Sequence, residues 1–301
     1  MQANYSKQSQ KIHETVLLKE VTEYFAPKPK RKFIDATLGT AGHTLELVKA
    51  GDEVLGIDLD PEMVTIASSR LTEGKLPGSF KLVQGNFRRI AEIAKNEGFN
   101  EVDGVLFDLG VSNLHFEDEE RGFSFVKKDA KLDMRLDPKS QEVTASDLLN
   151  VLRADQLRKL FEAVMDPGSA LWLSRKIISA REIRPIKTVG DLEEAIRGVR
   201  KKPGLNPLTL PMLALRMAVN SELENLSEVL PDAFGLLSKG GRLTIISFHS
   251  GEDKLVKSYF KSLEEKGEGR IITEDPIIPT ASEIERNPRA RSAKLRVCEK
   301  I

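Results

Sequence analysis

Apolar positions in the first hundred residues alternate between two spacings. Short runs that end in or just before an acid, Phe33-Ile34-Asp35, the run closing at Asp58, and Val102 to Phe107 before Asp108, have the length of buried strands, as does Phe80 to Val83. Between them the spacing is helical. Leu17, Val21, Tyr24 and Phe25 share one face of residues 14–25; Leu45 and Val48 share another; Met63, Ile66, Ala67 and Leu71 follow Asp60-Pro61, which read as N-cap and first helical position. The Pro27 to Lys32 segment is expected to end the first helix. Strand-helix alternation predicts an α/β fold with a parallel sheet. A fifth strand, Arg242 to Ser247, is expected after a helix carrying Leu223, Leu226, Leu230, Phe234 and Leu237. Pro231 is expected to kink or split that helix, and Gly240-Gly241 to stop it. Ile271-Ile272 and Leu295 to Val297 are the candidate last strands. From His115 to about Leu210 the pattern changes to mixed-charge loops and short helical periods, with a break at Lys201 to Pro207. The predicted division is therefore 1–114, a mostly helical substrate or cap insert at 115–210, and 211–301 returning to the sheet.

Composition narrows the class. The 301 residues are 40% hydrophobic and 31% charged, as in a soluble globular protein. Lys plus Arg and Asp plus Glu both number 46, so affinity for nucleic acid has to come from local basic clusters. The single cysteine, Cys298, excludes an internal disulfide and a cysteine-based zinc site. A polar N-terminus without an apolar core segment, and the absence of 18 consecutive apolar residues, predict a cytoplasmic protein that does not engage a membrane.

Candidate chemistry gathers at the strand ends. In a parallel sheet the loop Ala36 to Gly42, and the acids Asp35 and Asp58, lie at the carboxyl edge where ligands bind. Gly39 and Gly42 let backbone approach a ligand, and Asp58 is placed to accept from two ribose hydroxyls, so a nucleoside cofactor is expected. A nicotinamide dinucleotide fits poorly, because the glycines do not follow G-x-G-x-x-G. Asp35 suits a ligand with an ammonium group, which favours S-adenosylmethionine; as an N-cap or turn former it would have a purely structural role. Phe87, after the third strand, offers adenine a flat face or is plain core. His43 and His249 have no third ligand at useful spacing, so no metal is expected. Arg286, Arg289 and Arg291, interleaved with Pro288 and Ser292, suit phosphate contact in an extended loop.

The motifs themselves resemble a family. His13-x-Thr15-Val-Leu-Leu, Asp35-x-Thr-x-Gly39-x-x-Gly42-His43, Asp58-x-Asp60-Pro, Asp108-Leu-Gly-Val-Ser, Glu120-Arg-Gly-Phe-Ser-Phe125 and Leu132-Asp-Met-Arg135 are similar, in order, to those of the bacterial 16S ribosomal RNA cytosine-N4 methyltransferases. So are Ala214-Leu-Arg216, Val219-Asn220-x-Glu222, Ser247-Phe-His-Ser250, Glu252-Asp253 and Asn287-Pro-Arg-Ala-Arg-Ser292. The resemblance implies a class I S-adenosylmethionine-dependent methyltransferase sheet, Rossmann-like, with an inserted helical domain. It implies methylation of the exocyclic amine of one decoding-centre cytidine, with 16S ribosomal RNA in the small subunit as partner. It carries cofactor contacts onto Ala41, Gly42, His43, Asp58, Phe87, Asp108 and His115. Ala41 stands where the family usually has glycine, and His115 where it usually has glutamine.

On the acceptor side, Asp108 is the candidate to take amine protons. Ser247, His249 and Asp253 are expected to hold or line the cytidine, with Asn220 beside them, and Arg216 and Ser250 belong to the same motifs. The family's usual polar segments are replaced at 164–172 and 206–213. Those departures keep open a second reading, an RNA-binding ribosome-assembly protein that retains the fold but transfers no methyl group.

Overall fold

A computed structural model of the chain describes residues 14–25, 30–118, 120–198 and 204–301. The expectations for His13, Pro27 and Lys201 to Pro203 lie outside these residues. The chain divides into two compact units, Met1–Gly110 with Val229–Ile301, and Val111–Glu228.

The first unit is built on a seven-stranded sheet. In chain order it contains α1 (Leu18–Phe25), β1 (Lys32–Asp35), α2 (Gly42–Lys49), β2 (Glu53–Asp58), α3 (Pro61–Thr72), β3 (Ser79–Gln84), α4 (Ile90–Glu97) and β4 (Val102–Asp108). The sheet runs β3-β2-β1-β4 and continues through the later strands described below. These four strands are parallel, with Phe33 opposite Val54 on one side and Gly104 on the other. The order reverses between β1 and β4, so a crevice opens above their carboxyl ends. Phe25 and Phe33 pack with ring centroids 4.9 Å apart. A side chain at Gly104 would put its Cβ 2.7 Å from the Phe25 ring and 2.8 Å from that of Phe33, so only glycine fits there.

The second unit follows with α5 (Asn113–Glu117), α6 (Ala145–Val151), α7 (Ala154–Glu162), α8 (Pro167–Ile183), α9 (Val189–Ala195) and α10 (Thr209–Val219). Capping boxes at Thr144–Asp147 and Thr188–Asp191 start α6 and α9, and Asp166 with Pro167 starts α8. Leu149, Leu157, Phe161, Leu173, Ile177 and Leu192 form its core. The expected limits of 115 and 210 are corrected to 111 and 228. Leu208, Met212, Ala214 and Leu215 are buried in the helical core, so α10 belongs to the insert.

The unit boundary falls inside α11 (Glu222–Gly235), which runs on through Pro231 as a single helix. The first unit then resumes with β5 (Leu237–Ser247), α12 (Ser250–Glu265), β6 (Gly269–Ile271), α13 (Ala281–Arg286) and β7 (Lys294–Lys300). Gly240-Gly241 does not stop the helix. It lies inside β5, with Gly240 at φ 80°, where the pairing with β4 jumps from Val102–Leu237 to Gly104–Arg242. β7 lies antiparallel between β5 and β6, giving the full order 3-2-1-4-5-7-6. This is the α/β sheet that the resemblance leads one to expect, with its last strands antiparallel. Among the described residues no helix is long and apolar enough to cross a membrane.

Candidate active site at the carboxyl edge

The crevice over β1 and β4 is built by short polar side chains that fix the loop after β1. Asp35, 2% exposed, accepts a 2.7 Å hydrogen bond from the Thr44 hydroxyl and a 3.4 Å bond from the Thr37 amide. Burial pushes its carboxyl above the ordinary range; His43 and the Thr44 bond oppose this, and the Asp108 charge adds to it. Thr37 in turn accepts from the Asp108 amide at 2.6 Å, tying the end of β1 to the end of β4. The loop is further held by Leu38 N–H on the Ile57 carbonyl and by Arg70, whose guanidinium donates to the Thr40 carbonyl.

Ala41 is the N-cap of α2 at φ 62°, ψ 34°, the left-handed region, and no side chain caps the helix. The first-turn N–H groups of α2 therefore face the crevice without a side-chain acceptor, a ready site for a ligand carboxylate. Gly42 cannot be larger, since a Cβ would sit 1.9 Å from the Thr15 hydroxyl oxygen. Thr15 thus packs directly on the loop. His43 is buried, with neither ring nitrogen hydrogen-bonded, and its Nε2 stands 3.6 Å from Asp108 Oδ2.

At the end of β2, the Asp58 carboxylate accepts from the amides of Gly39 at 2.7 Å and Asp60 at 2.9 Å. Asp60 caps α3 as the sequence predicts. Phe87 begins a 3-10 turn after β3, is half-buried, and packs edge-on against Phe107 at 5.5 Å, one residue before Asp108. The structure therefore gathers Asp35, Ala41, Gly42, His43, Asp58, Phe87 and Asp108 at one edge of this unit. His115 lies in the second unit, buried on α5 with its ring 5.2 Å from Phe123.

Several acceptor-side candidates turn out to be committed to scaffold bonds. Ser247 is buried and its hydroxyl donates to the Lys294 carbonyl at 3.4 Å. His249 caps α12: Nδ1 accepts from the amides of Gly251 and Glu252, while Glu252 Oε2 accepts from the amides of Phe248 and His249. An Nδ1 lone pair aimed at two N–H groups is not free to act as a base. Asp253 bridges Arg296 at 2.7 Å and Lys294 at 2.9 Å. Burial alone would raise its carboxyl, but these bonds outweigh that and hold it below the ordinary range. Ser250 is the exposed first residue of α12.

In the second unit, Arg216 makes a bidentate pair with Glu222 at 2.8 and 2.9 Å. Buried Asn220 accepts from the Leu136 amide and donates to the Met134 carbonyl, supporting Met134 at φ 63°. Arg289 and Arg291 are exposed on a 3-10 turn, Pro288–Ser292, in place of the extended loop expected; Arg286 pairs with Glu14 at 2.8 Å. Thr15, Thr37 and Thr44 are the site residues missed by sequence reasoning. Their only sequence signal is membership in the Thr15-Val-Leu-Leu and Asp35-x-Thr motifs and the first turn of α2.

Comparison with known proteins agrees with this construction. A family model described as the MraW methylase family matches residues 10–301. Proteins named ribosomal RNA small subunit methyltransferase H are similar over almost the whole chain. That of Caldicellulosiruptor saccharolyticus is 38% identical, covering 96% of this chain and 99% of its own. That of Methylacidiphilum infernorum is 39% identical, covering 96% and 94%. That of Halothermothrix orenii is 40% identical, covering 96% and 98%. A family model matching residues 10–301, with relatives of this identity over almost the whole chain, means that the chain belongs to the MraW methylase family.

Proposed function

We propose that this protein transfers a methyl group from S-adenosylmethionine to the exocyclic N4 amine of a cytidine in the 16S ribosomal RNA of the small subunit. The observation that carries the reading is the match over nearly the full length to relatives that bear the small subunit methyltransferase name. The crevice chemistry supports it. The charges acting on Asp35 are those of His43 and Asp108, so the pocket holds two carboxylates and an imidazole, and His43 Nδ1, His43 Nε2 and Asp108 Oδ1 are enclosed without partners. Buried unpaired polar groups are costly, so such a set fits a cationic, hydrogen-bonding ligand. When bound, S-adenosylmethionine supplies an electrophilic methyl group on a sulfonium.

The chain's own residues divide the remaining work. Asp58, at the end of β2, holds a ribose diol. Phe87 offers its face to adenine, and the first turn of α2 with Asp35 and His43 receives the amino-acid end of the donor. Cytosine N4 is a weak nucleophile because its lone pair is delocalised into the ring, so transfer needs alignment and an acceptor for an amine proton. Asp108 is that acceptor. Incubating the protein with labelled S-adenosylmethionine and unmodified small subunits, then identifying the modified nucleoside by mass spectrometry, tests the reading. N4-methylcytidine at one position is expected. RNA binding without label incorporation would leave the assembly-protein reading in its place. Asp108→Asn is expected to slow single-turnover transfer about 10²- to 10⁴-fold.

A further inference from the structure

We propose that the outer face of α12 is a phosphate-binding track, on which Lys254, Lys257 and Lys261 hold the sugar-phosphate backbone of the RNA substrate as it leaves the carboxyl edge of the sheet. The inference rests on the methyltransferase reading above and deepens it, placing RNA contact on a helix that takes no part in the donor crevice.

α12 buries Val256, Phe260 and Leu263 on one face and packs against β5, β6 and β7. From Ser250 to Lys261 its exposed positions are Ser250, Lys254, Lys257, Ser258 and Lys261. The three lysines stand at i, i+3 and i+7, so they share one strip of the helix and cover about 10 Å along its axis. The acids of the same stretch are engaged elsewhere. Glu252 is buried and accepts from the amides of Phe248 and His249, and Asp253 is held by Lys294 and Arg296. The next exposed acids, Glu264 and Glu265, come in the last turn, where Glu265 lies 3.5 Å from Lys261 with both side chains open to solvent. An exposed pair of this kind holds little. Among the described residues Lys254 and Lys257 make no hydrogen bond or ion pair.

A solvated helix face gains support when acids and lysines stand four apart. Lys257 and Lys261 are four apart with the same charge, an arrangement that works against the helix on its own. In a chain whose 46 basic and 46 acidic residues cancel, a strip of one sign is a local excess. The ligand that complements it is a polyanion with charges repeated along its length.

The strip also begins where the substrate has to be. β5 runs parallel to β4, so the end of β5 and the start of α12 stand at the same edge as Asp108. β7 enters the sheet at this edge, with Lys294 opposite Ser247, and the turn bearing Arg289 and Arg291 directly precedes it. From there α12 carries its lysines down the side of the sheet unit, along the path of a backbone whose target base enters the crevice. Phosphate contacts fix register and orientation without reading sequence, so the track orients the RNA and leaves the choice of base to the crevice.

The test uses the full chain with a transcript of the small-subunit RNA and with unmodified small subunits. Replacing Lys254, Lys257 and Lys261 together with Ala is expected to lower the log-log salt slope of transcript binding by about 1 to 3, since each phosphate contact contributes about 0.7 to 0.9. The thermal melt is expected to be no lower than the parent's, because a like-charge row is removed, and S-adenosylhomocysteine affinity is expected to stay within about twofold. A control takes the same charge from the opposite edge of the sheet, with Lys49, Lys75 and Lys95, all exposed at or beyond helix ends, replaced by Ala. A slope lowered by less than about 1, or lowered equally in the control, overturns the track. Cross-linking gives its place. The one cysteine, Cys298, is buried, so Ser258→Cys on α12 and Ser68→Cys on α3 each present a single exposed thiol to a photo-crosslinker. RNA is expected to be captured from Ser258→Cys and not from Ser68→Cys, and equal capture or none overturns the track. A lysine effect seen with subunits but absent with the transcript makes the partner a ribosomal protein and overturns it too. If the parent binds RNA but transfers no methyl group, the function reading falls, while the salt slope still decides the track.

Discussion

Removing the Asp58 carboxylate is expected to damage donor binding and folding together, in separable amounts. The sequence alone predicts that donor binding suffers far more than folding, because a strand-end acid leaves no large cavity when truncated. In the structure, however, Asp58 already accepts two backbone amides, from Gly39 at 2.7 Å and Asp60 at 2.9 Å. Gly39 lies in the left-handed region at φ 50°, so the first of these bonds pins the donor loop. A carboxylate accepts at about four positions, and the proposed ribose diol donates two bonds to it. At about 1.5 to 3 kcal/mol per hydrogen bond to a charged group, Asp58→Ala is expected to cost at most about 3 to 6 kcal/mol of donor affinity, roughly 10²- to 10⁴-fold in Kd. The two amides lie in part-buried bonds, so losing this acceptor is expected to cost about 1 to 3 kcal/mol of folding stability for each amide left without a partner. Asp58→Asn keeps one acceptor oxygen and is expected to fall between parent and Ala on both scales. Calorimetric titration with S-adenosylhomocysteine gives the first quantity and urea denaturation the second. Affinity within threefold of the parent in Asp58→Ala would remove the ribose contact. Unchanged stability would mean that the amides need no acceptor there and that Asp58 does not hold the loop.

Asp52, fully buried, has its carboxyl pushed up to about 6 by burial, with a backbone hydrogen bond from Arg31 and the Arg31 charge opposing. A pKa raised on folding favours the folded state below the unfolded value and loses that favour as pH rises through about 6. Asp52→Asn is therefore expected to gain about 1 to 3 kcal/mol over the parent at pH 7.5 and little at pH 4, read by urea denaturation at both values; an equal difference at both would refute it. Ala41→Gly is expected to change stability by less than about 1 kcal/mol, because relief of left-handed strain is offset by greater unfolded-state freedom and by loss of a buried methyl. A change above about 2 kcal/mol in a thermal melt would show that the loop adjusts around one of the two residues. Arg289→Ala with Arg291→Ala is expected to reduce the log-log salt slope of RNA binding by about 1 to 2 and leave S-adenosylhomocysteine affinity alone, and an unchanged slope would give the turn a structural role.

Much of this molecule is written in local pattern. The strands and helices of the sheet unit follow from acid-terminated apolar runs and helical spacing, because burial on two faces demands continuous apolar stretches and burial on one demands a stripe. Asp60-Pro61 starts α3 as a capping rule requires, and Asp35, Asp58 and Asp108 reach one edge because parallel strands share a direction. The misreadings have the opposite cause. Gly240-Gly241 carries a local stop signal, yet pairing with β4 absorbs it as an irregularity inside β5. Met212 and Leu215 fall in the stretch expected to return to the sheet, but their burial assigns them to the helical core. His249 and Asp253 offer polar groups in sequence, and only their neighbours show that Nδ1 of His249 accepts at a helix end and that Asp253 pairs with Lys294 and Arg296. The sequence by itself determined the sheet, its ligand-binding edge and the family. The tertiary structure decided which polar groups are left over for chemistry, because a hydrogen-bonding group is available only after every partner that folding brings to it has been counted.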